Sequence, residues 1–200
     1  MLFFHTAIFI YLAEIVKISV KLRLRRTNIH FLLTSESVDT AIKWLENPPR
    51  ALKNVNAIIF LNYKPVGRNP RQDLLVKSSP KHAAFFLLAG RKYPFKVGFD
   101  SCSISGITRF MRVASIFIER CEAGRFSMYI SEDNKMYPCS FMEDKTEGVP
   151  VSKDNIQAVW QAHSSFTSIR SQLSESKCSG CAVYDDCFSG CPIFPEINLC

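Results

Sequence analysis

Two hundred residues, 47% of them hydrophobic and 22% charged, suffice for one large domain or two small ones and argue against a disordered chain. The formal charge of +7 is spread along the sequence rather than gathered with interleaved aromatics, so nucleic acid is not an expected partner. Eight cysteines without a convincing cleavable signal fit a reducing cytoplasm better than a secreted disulfide scaffold, which is typically a shorter chain.

Residues 1–27 form an apolar and then basic segment. Met1 to Ala13 is almost wholly apolar, and Lys17, Lys21, Arg23, Arg25 and Arg26 follow. Such a start resembles a membrane anchor, yet Glu14 and Lys17 interrupt it well short of the roughly 20 residues a bilayer span requires. The basic leading region of a signal peptide is also missing. The segment reads instead as a buried element of a larger fold, or as the distorted start of a longer gene product.

From Asn28 the pattern becomes β-α-β. Ile29 to Leu33 is a short apolar run ending at Thr34-Ser35 and predicts a strand buried on both faces, with His30 packed within it. Val38, Ala41, Ile42 and Leu45 recur at helical spacing, with Ser35 or Ser37 as the cap and Asn47-Pro48-Pro49 as the stop. Val55 to Leu61 predicts the next strand and leads into a loop from Tyr63 to Arg68. Pro80 and the stretch Lys81 to Leu88 predict a second helix ended by Gly90, after which Lys96 to Phe99 forms a third strand. Right-handed crossovers make these strands parallel, and their C-terminal ends form the ligand rim of such folds. Thr34, Ser35, Asn62, Tyr63, Asp100 and Cys102 are therefore expected on one rim.

The pattern changes after Gly106, and a boundary is expected between Arg112 and Arg120, dividing the chain into 28–115 and 116–200. Phe126 to Ile130 alternates as a strand, Glu132 to Lys135 turns, and Met136-Tyr137 returns as the second strand. This hairpin separates Cys121 from Cys139 and can bring them back together; Asp133 is expected to serve the turn. One helix should carry Ile156, Val159, Trp160 and His163 onward to Phe166 and Ile169, with Trp160 as a packing anchor.

The densest signal is the tail, where Cys178, Cys181, Cys187 and Cys191 follow a C-x2-C-x5-C-x3-C spacing and Cys200 closes the chain. Thiols converging in this way call for a metal. One zinc is satisfied by four thiolates, whereas the tail together with Cys121 and Cys139 offers seven, enough for two cubane clusters or for one cluster and one zinc. A single structural zinc on Cys178, Cys181, Cys187 and Cys191 is the competing reading.

Taken together, Cys121-Glu-Ala-Gly124, the stretch Ile130 to Cys139, Trp160 and the five tail cysteines resemble a SPASM domain. The pattern of that family is C-x9-15-G-x4-C, then C-x2-C-x5-C-x3-C, then a last cysteine. Here twelve residues separate Cys121 from Asn134 and four separate Asn134 from Cys139. Asn134 replaces the glycine, and asparagine is the usual substitute where a turn needs positive φ. SPASM domains are appended to radical S-adenosylmethionine enzymes, and the segment from Asn28 is similar to the last third of their partial (β/α)6 barrel. The expected fold class is therefore α/β: the last strands and helices of such a barrel over 28–115, then a small irregular SPASM domain with a β-hairpin and cysteine-rich loops over 116–200.

The resemblance implies two auxiliary 4Fe-4S clusters, one held by Cys121, Cys139 and Cys191, the other by Cys178, Cys181, Cys187 and Cys200. For Cys102 three roles stay open: fourth ligand of the first cluster, rim residue near substrate, or small core residue. An iron left open for substrate competes with the first of these. Thr34, Ser35, Asn62 and Tyr63 match rim positions where family strands approach S-adenosylmethionine; simple satisfaction of loop backbone groups is the alternative. The C-x3-C-x2-C run that cleaves this cofactor is missing, since Cys187-Phe-Ser-Gly-Cys191 would need its third cysteine at Phe194. The chain is thus expected to be a C-terminal portion of a radical enzyme that does not cleave the cofactor by itself. The resemblance also implies a peptide or protein substrate and a flavodoxin- or ferredoxin-like electron donor. Ser140 stands where sulfatase-maturing members carry an aspartate, which lowers the expectation of that activity. A stand-alone zinc or iron-sulfur module and a membrane-tethered electron carrier using residues 1–26 are the rival functions.

Overall fold

The computed structural model describes residues 2–24, 26–174, 178 and 180–199, and of residues 2–11 it describes the backbone alone. Its first half is organised by a parallel sheet of β1 (Asn28–Leu33), β2 (Ala57–Asn62) and β3 (Lys96–Phe99), in that spatial order. Asn28 pairs with Ala57 and Leu33 with Asn62, while Phe60 pairs with Phe99. The expected mixed α/β class and the parallel strand order are both observed, so the C-terminal ends of all three strands lie along one edge.

β1 departs from expectation. It is an edge strand, not one buried on both faces: Ile29, Phe31 and Leu33 turn toward the core, whereas His30 is exposed and Leu32 is 51% exposed. The physical reason is the two-residue alternation of side chains, which faces half of an uncovered edge strand to water. An apolar run in sequence could not distinguish this strand from the buried β2.

The helices α2 (Val38–Glu46) and α3 (Pro80–Ala89) pack on each other and on the sheet. Ser37 precedes α2 but does not cap it; its hydroxyl donates to the Leu32 carbonyl at 2.7 Å and accepts from the Thr34 N–H at 2.8 Å. α3 starts as its sequence dictates, with Pro80 in the first turn and Ser79 Oγ accepting from the His82 N–H at 3.2 Å. Between these elements lies an aromatic core in which Phe60 meets Phe85 edge-on at 4.9 Å and Phe85 meets Phe86 at 5.1 Å. Edge-to-face pairs at such separations add to simple area burial. Val16 of helix α1 (Leu2–Lys21) is buried in the same core, while Ile15, Ile18 and Val20 face outward. No helix among the described residues is long and apolar enough to cross a membrane.

His82 is the discordant member of this core. It is 1% exposed beside Phe85 and Phe86, and among the described residues neither ring nitrogen has a hydrogen-bond partner. Burial depresses its pKa from 6.5 to about 4, so the folded chain keeps the ring neutral while the unfolded chain protonates it. This contribution to stability is complete above pH 6.5 and is lost as pH falls toward 4, by about 3 kcal/mol in all. His82→Leu is expected to raise stability at neutral pH by roughly 1–3 kcal/mol and to flatten that acid dependence. Urea midpoints measured on both sides of the histidine's ordinary pKa check this; parallel pH profiles for the two proteins would refute it.

The second half is built around a small antiparallel sheet of β4 (Tyr129–Ile130), β5 (Lys135–Tyr137) and β6 (Val149–Pro150). The hairpin is present, with Asn134 at φ 57° in its turn and Asp133 exposed beside it. β4 is shorter than the alternation from Phe126 suggested. The Glu122 carbonyl accepts from the N–H groups of Arg125, Phe126 and Ser127 at 2.9–3.2 Å, curling that segment into turns before the strand can begin. β6 had no signal strong enough to expect it. The single helix expected from Ile156 is in fact two, α5 (Ile156–Ala162) and α6 (Ser164–Ser174). His163 breaks it with extended backbone, ψ 139°, and its ring Nδ1 accepts from the Ser165 N–H at 3.2 Å, starting α6 afresh. Trp160 is half-buried between Phe166 and the Arg170 guanidinium, and Arg170 in turn donates to the carbonyls of Gly124 and Trp160, each at 2.6 Å.

Candidate metal centre

Four of the eight cysteines meet beside the C-terminal end of β3. Cys102 lies in the single turn between β3 and helix α4 (Ile104–Phe110), Cys121 before the hairpin, Cys139 directly after it, and Cys191 in the tail. Cys191 is buried with Leu75, Phe194 and Ile197, and Cys102 packs against that group. The thiols of Cys102 and Cys191 contact each other; Cys121 acts electrostatically with Cys102, Cys139 and Cys191, and Cys139 with Cys102. A cleft of about 430 Å³ lies against Cys102, Cys121 and Cys139.

Burial drives the thiols of Cys121 and Cys139 upward in pKa. Contact with Cys191 and then burial drive Cys102 up as well, whereas the same contact favours the thiolate of Cys191 and lowers it. A metal bound there would have to displace protons from most of these sulfurs, and its uptake would depend on pH.

Local structure holds Cys191 in place. Phe188, Ser189 and Gly190 are all left-handed, at φ 49°, 69° and 73°, and reverse the chain between Cys187 and Cys191. The Asn198 side chain then clamps the far side: its Oδ1 accepts from the Cys191 N–H at 2.8 Å, and its Nδ2 donates to the Cys191 carbonyl at 3.0 Å. A Cβ on Gly190 would stand 2.1 Å from that same Oδ1, so the close approach requires glycine.

Two charged residues complete the surroundings. Lys64 follows β2 and Asp100 follows β3; Lys64 Nζ donates to Asp100 Oδ2 at 2.6 Å, with the lysine side chain 1% exposed. Asp100 also accepts from the Asn62 N–H at 3.1 Å and from Ser103 Oγ at 2.8 Å, joining the ends of β2 and β3. Burial by itself would lower the pKa of Lys64, but Cys102 and Asp100 outweigh it and raise it, so the side chain is an ammonium.

No protein-family model, curated protein or solved structure matches this chain. The chemistry of the site therefore rests on its own geometry. Among the described residues no group of His, Cys, Asp or Glu closes around a single metal ion. Tetrahedral zinc with bonds of about 2.3 Å needs its four thiolates about 3.8 Å apart. A cubane asks for a wider spread, because each sulfur binds a different iron at a different corner. The four cysteines come from four separate segments, three of them line the cleft, and the thiols of Cys102 and Cys191 are in direct contact.

The other expected site residues fall into two groups. Cys178, Cys181 and Cys187 share one stretch: the Cys181 N–H donates to the Cys178 carbonyl at 2.8 Å, Tyr184 N–H to Cys181 at 3.0 Å, and Cys187 is buried at the end of the short helix α7 (Tyr184–Cys187). Cys181 is exposed, and Cys200 lies outside the described residues. At the rim, Thr34 and Ser37 hydrogen-bond each other, Ser35 Oγ donates to the Asp73 carbonyl at 2.6 Å, and Tyr63 Oη accepts from the Arg71 N–H at 2.9 Å. These three serve loop backbone and neighbouring side chains. Asn62 Nδ2 donates to Ser103 Oγ at 3.1 Å, and its buried Oδ1 has no partner among the described residues.

Sequence reasoning placed Asp100 on the rim but missed Lys64 and Asn198. A lone lysine in a proline-containing loop reads as solvated, and an asparagine two residues from the chain end carries no local signal. Only the fold brings each to the thiols.

Proposed function

We propose that this chain carries two auxiliary 4Fe-4S centres of a radical S-adenosylmethionine/SPASM system that modifies a peptide or protein. Cys102, Cys121, Cys139 and Cys191 would hold one centre; Cys178, Cys181, Cys187 and Cys200 would hold the other. The observation that carries the reading is the approach of Cys102 and Cys191 to Cys121 and Cys139, four cysteines separated by up to 89 positions in sequence that gather at one half-buried site. Bound there, a cubane supplies one-electron transfer.

The remaining tasks belong to the protein. Leu75, Phe194 and Ile197 keep water from Cys191, and Asn198 orients the backbone that bears it. Asp100 ties the ends of β2 and β3 so that Cys102 faces the other thiols. The parallel β1–β3 sheet with its helices supports the finer reading of 28–115 as the last part of a (β/α)6 barrel, and the hairpin between Cys121 and Cys139 supports that of 116–200 as a SPASM domain. The sequence has no C-x3-C-x2-C run, so the proposal covers the auxiliary centres and leaves cofactor cleavage to such a cluster elsewhere. A flavodoxin- or ferredoxin-like protein is the electron partner that this chemistry calls for.

Anaerobic reconstitution followed by iron, sulfide and zinc analysis tests the reading. About eight irons with matching sulfide per chain is the expected result. About one zinc with no iron would overturn it and restore the structural zinc module.

A further inference from the structure

A lysine buried beside thiols is hard to account for by stability alone. Taking an ammonium out of water costs several kcal/mol, and replacing a buried ion pair by apolar side chains is often neutral or stabilising, by about 1–4 kcal/mol. Lys64 is nonetheless almost fully buried. Its position is defined on three sides: it follows β2, its Nζ meets Asp100 beyond β3, and the Phe141 ring, two residues after Cys139, lies 5.0 Å from the same nitrogen. Its charge favours the thiolates of Cys102 and Cys139. The Lys64 ammonium hydrogen-bonds the Cys102 thiol as well as Asp100, which places its positive charge against that sulfur.

We propose that Lys64, held by Asp100, sets the reduction potential of the centre formed by Cys102, Cys121, Cys139 and Cys191. This rests on the iron-sulfur reading above. Four thiolates give such a centre a net negative charge, and reduction adds one more negative charge to it. A fixed ammonium in a poorly solvated site favours the reduced form and raises the potential. Lys64 is a positioning residue in this sense: it acts on the centre through its charge and through its hydrogen bond to the Cys102 ligand. Arg or Lys on the surface could not substitute, because solvent and salt would screen them.

The test is a redox titration of the reconstituted full chain, followed by electron paramagnetic resonance. Lys64→Met removes the charge and keeps most of the aliphatic stem. Its iron content should match wild type, and the equilibrium constant for reduction of one centre should fall about tenfold, a midpoint shift of about 59 mV to lower potential. The centre assigned to Cys178, Cys181, Cys187 and Cys200 serves as internal reference and should not move. The double variant Lys64→Met/Asp100→Asn, which leaves no unpaired buried charge, should shift in the same direction by less, and it keeps the test available if the single variant does not fold. Full iron with unchanged midpoints in either variant would overturn the role of Lys64 while leaving the iron-sulfur reading intact. A wild-type chain that takes up no iron would remove the reading itself.

Discussion

Asp100→Ala is expected to cost about 3–5 kcal/mol of stability. The carboxylate accepts three hydrogen bonds, from Lys64 Nζ, from the Asn62 N–H and from Ser103 Oγ. Truncation strips all three at once. It strands an ammonium whose side chain is only 1% exposed, and an uncompensated buried charge is far costlier than a lost pair. Asp100→Ala combined with Lys64→Met should recover most of the loss, because no lone charge then remains. Urea unfolding of the metal-free chain measures the cycle, and strong non-additivity is expected between residues in direct contact. A loss below about 1 kcal/mol for Asp100→Ala would show that water reaches Lys64 and that the pair is worth no more than a surface bridge.

The second large effect concerns Cys102. Cys102→Ala is expected to reduce retained iron from about eight to about four per chain, as Cys191→Ala should also do. In the metal-free chain the same substitution deletes one small half-buried group and should cost about 1 kcal/mol. The two measurements separate the roles that sequence reasoning had left open. A core residue would change stability and leave iron untouched; a ligand does the reverse. If Cys102→Ala keeps full iron while Cys191→Ala halves it, the first centre has three protein sulfurs and an open iron.

How much of this was legible in the sequence depends on the range of the interactions involved. The parallel strands, α2 and α3 followed from apolar runs, helical spacing and Pro80 at the start of α3, because those signals are local, whereas the Ser79 cap was not anticipated. The turn at Asn134 was equally legible, since positive φ selects a small group of residues. Helix α5 could not be bounded in the same way. His163 is compatible with a continuous helix, and neither its extended backbone nor the contact of its ring with the Ser165 N–H is written in the apolar periodicity. β1 looked fully buried because hydrophobicity does not record whether a neighbouring layer exists.

By itself, then, the sequence determined the α/β class, the strand ends that form the rim, and the set of sulfurs available for ligation. Tertiary structure decided which sulfurs meet: it brought Cys102 to Cys191, placed Lys64 and Asp100 beside them, and gave Ser35 and Tyr63 hydrogen-bond partners in neighbouring loops. The reason is physical. Backbone propensity and side-chain periodicity act over a few residues and are written locally, whereas the meeting of Cys102 with Cys191, or of Lys64 with Asp100, is fixed by the packing of segments that have no local means of signalling one another.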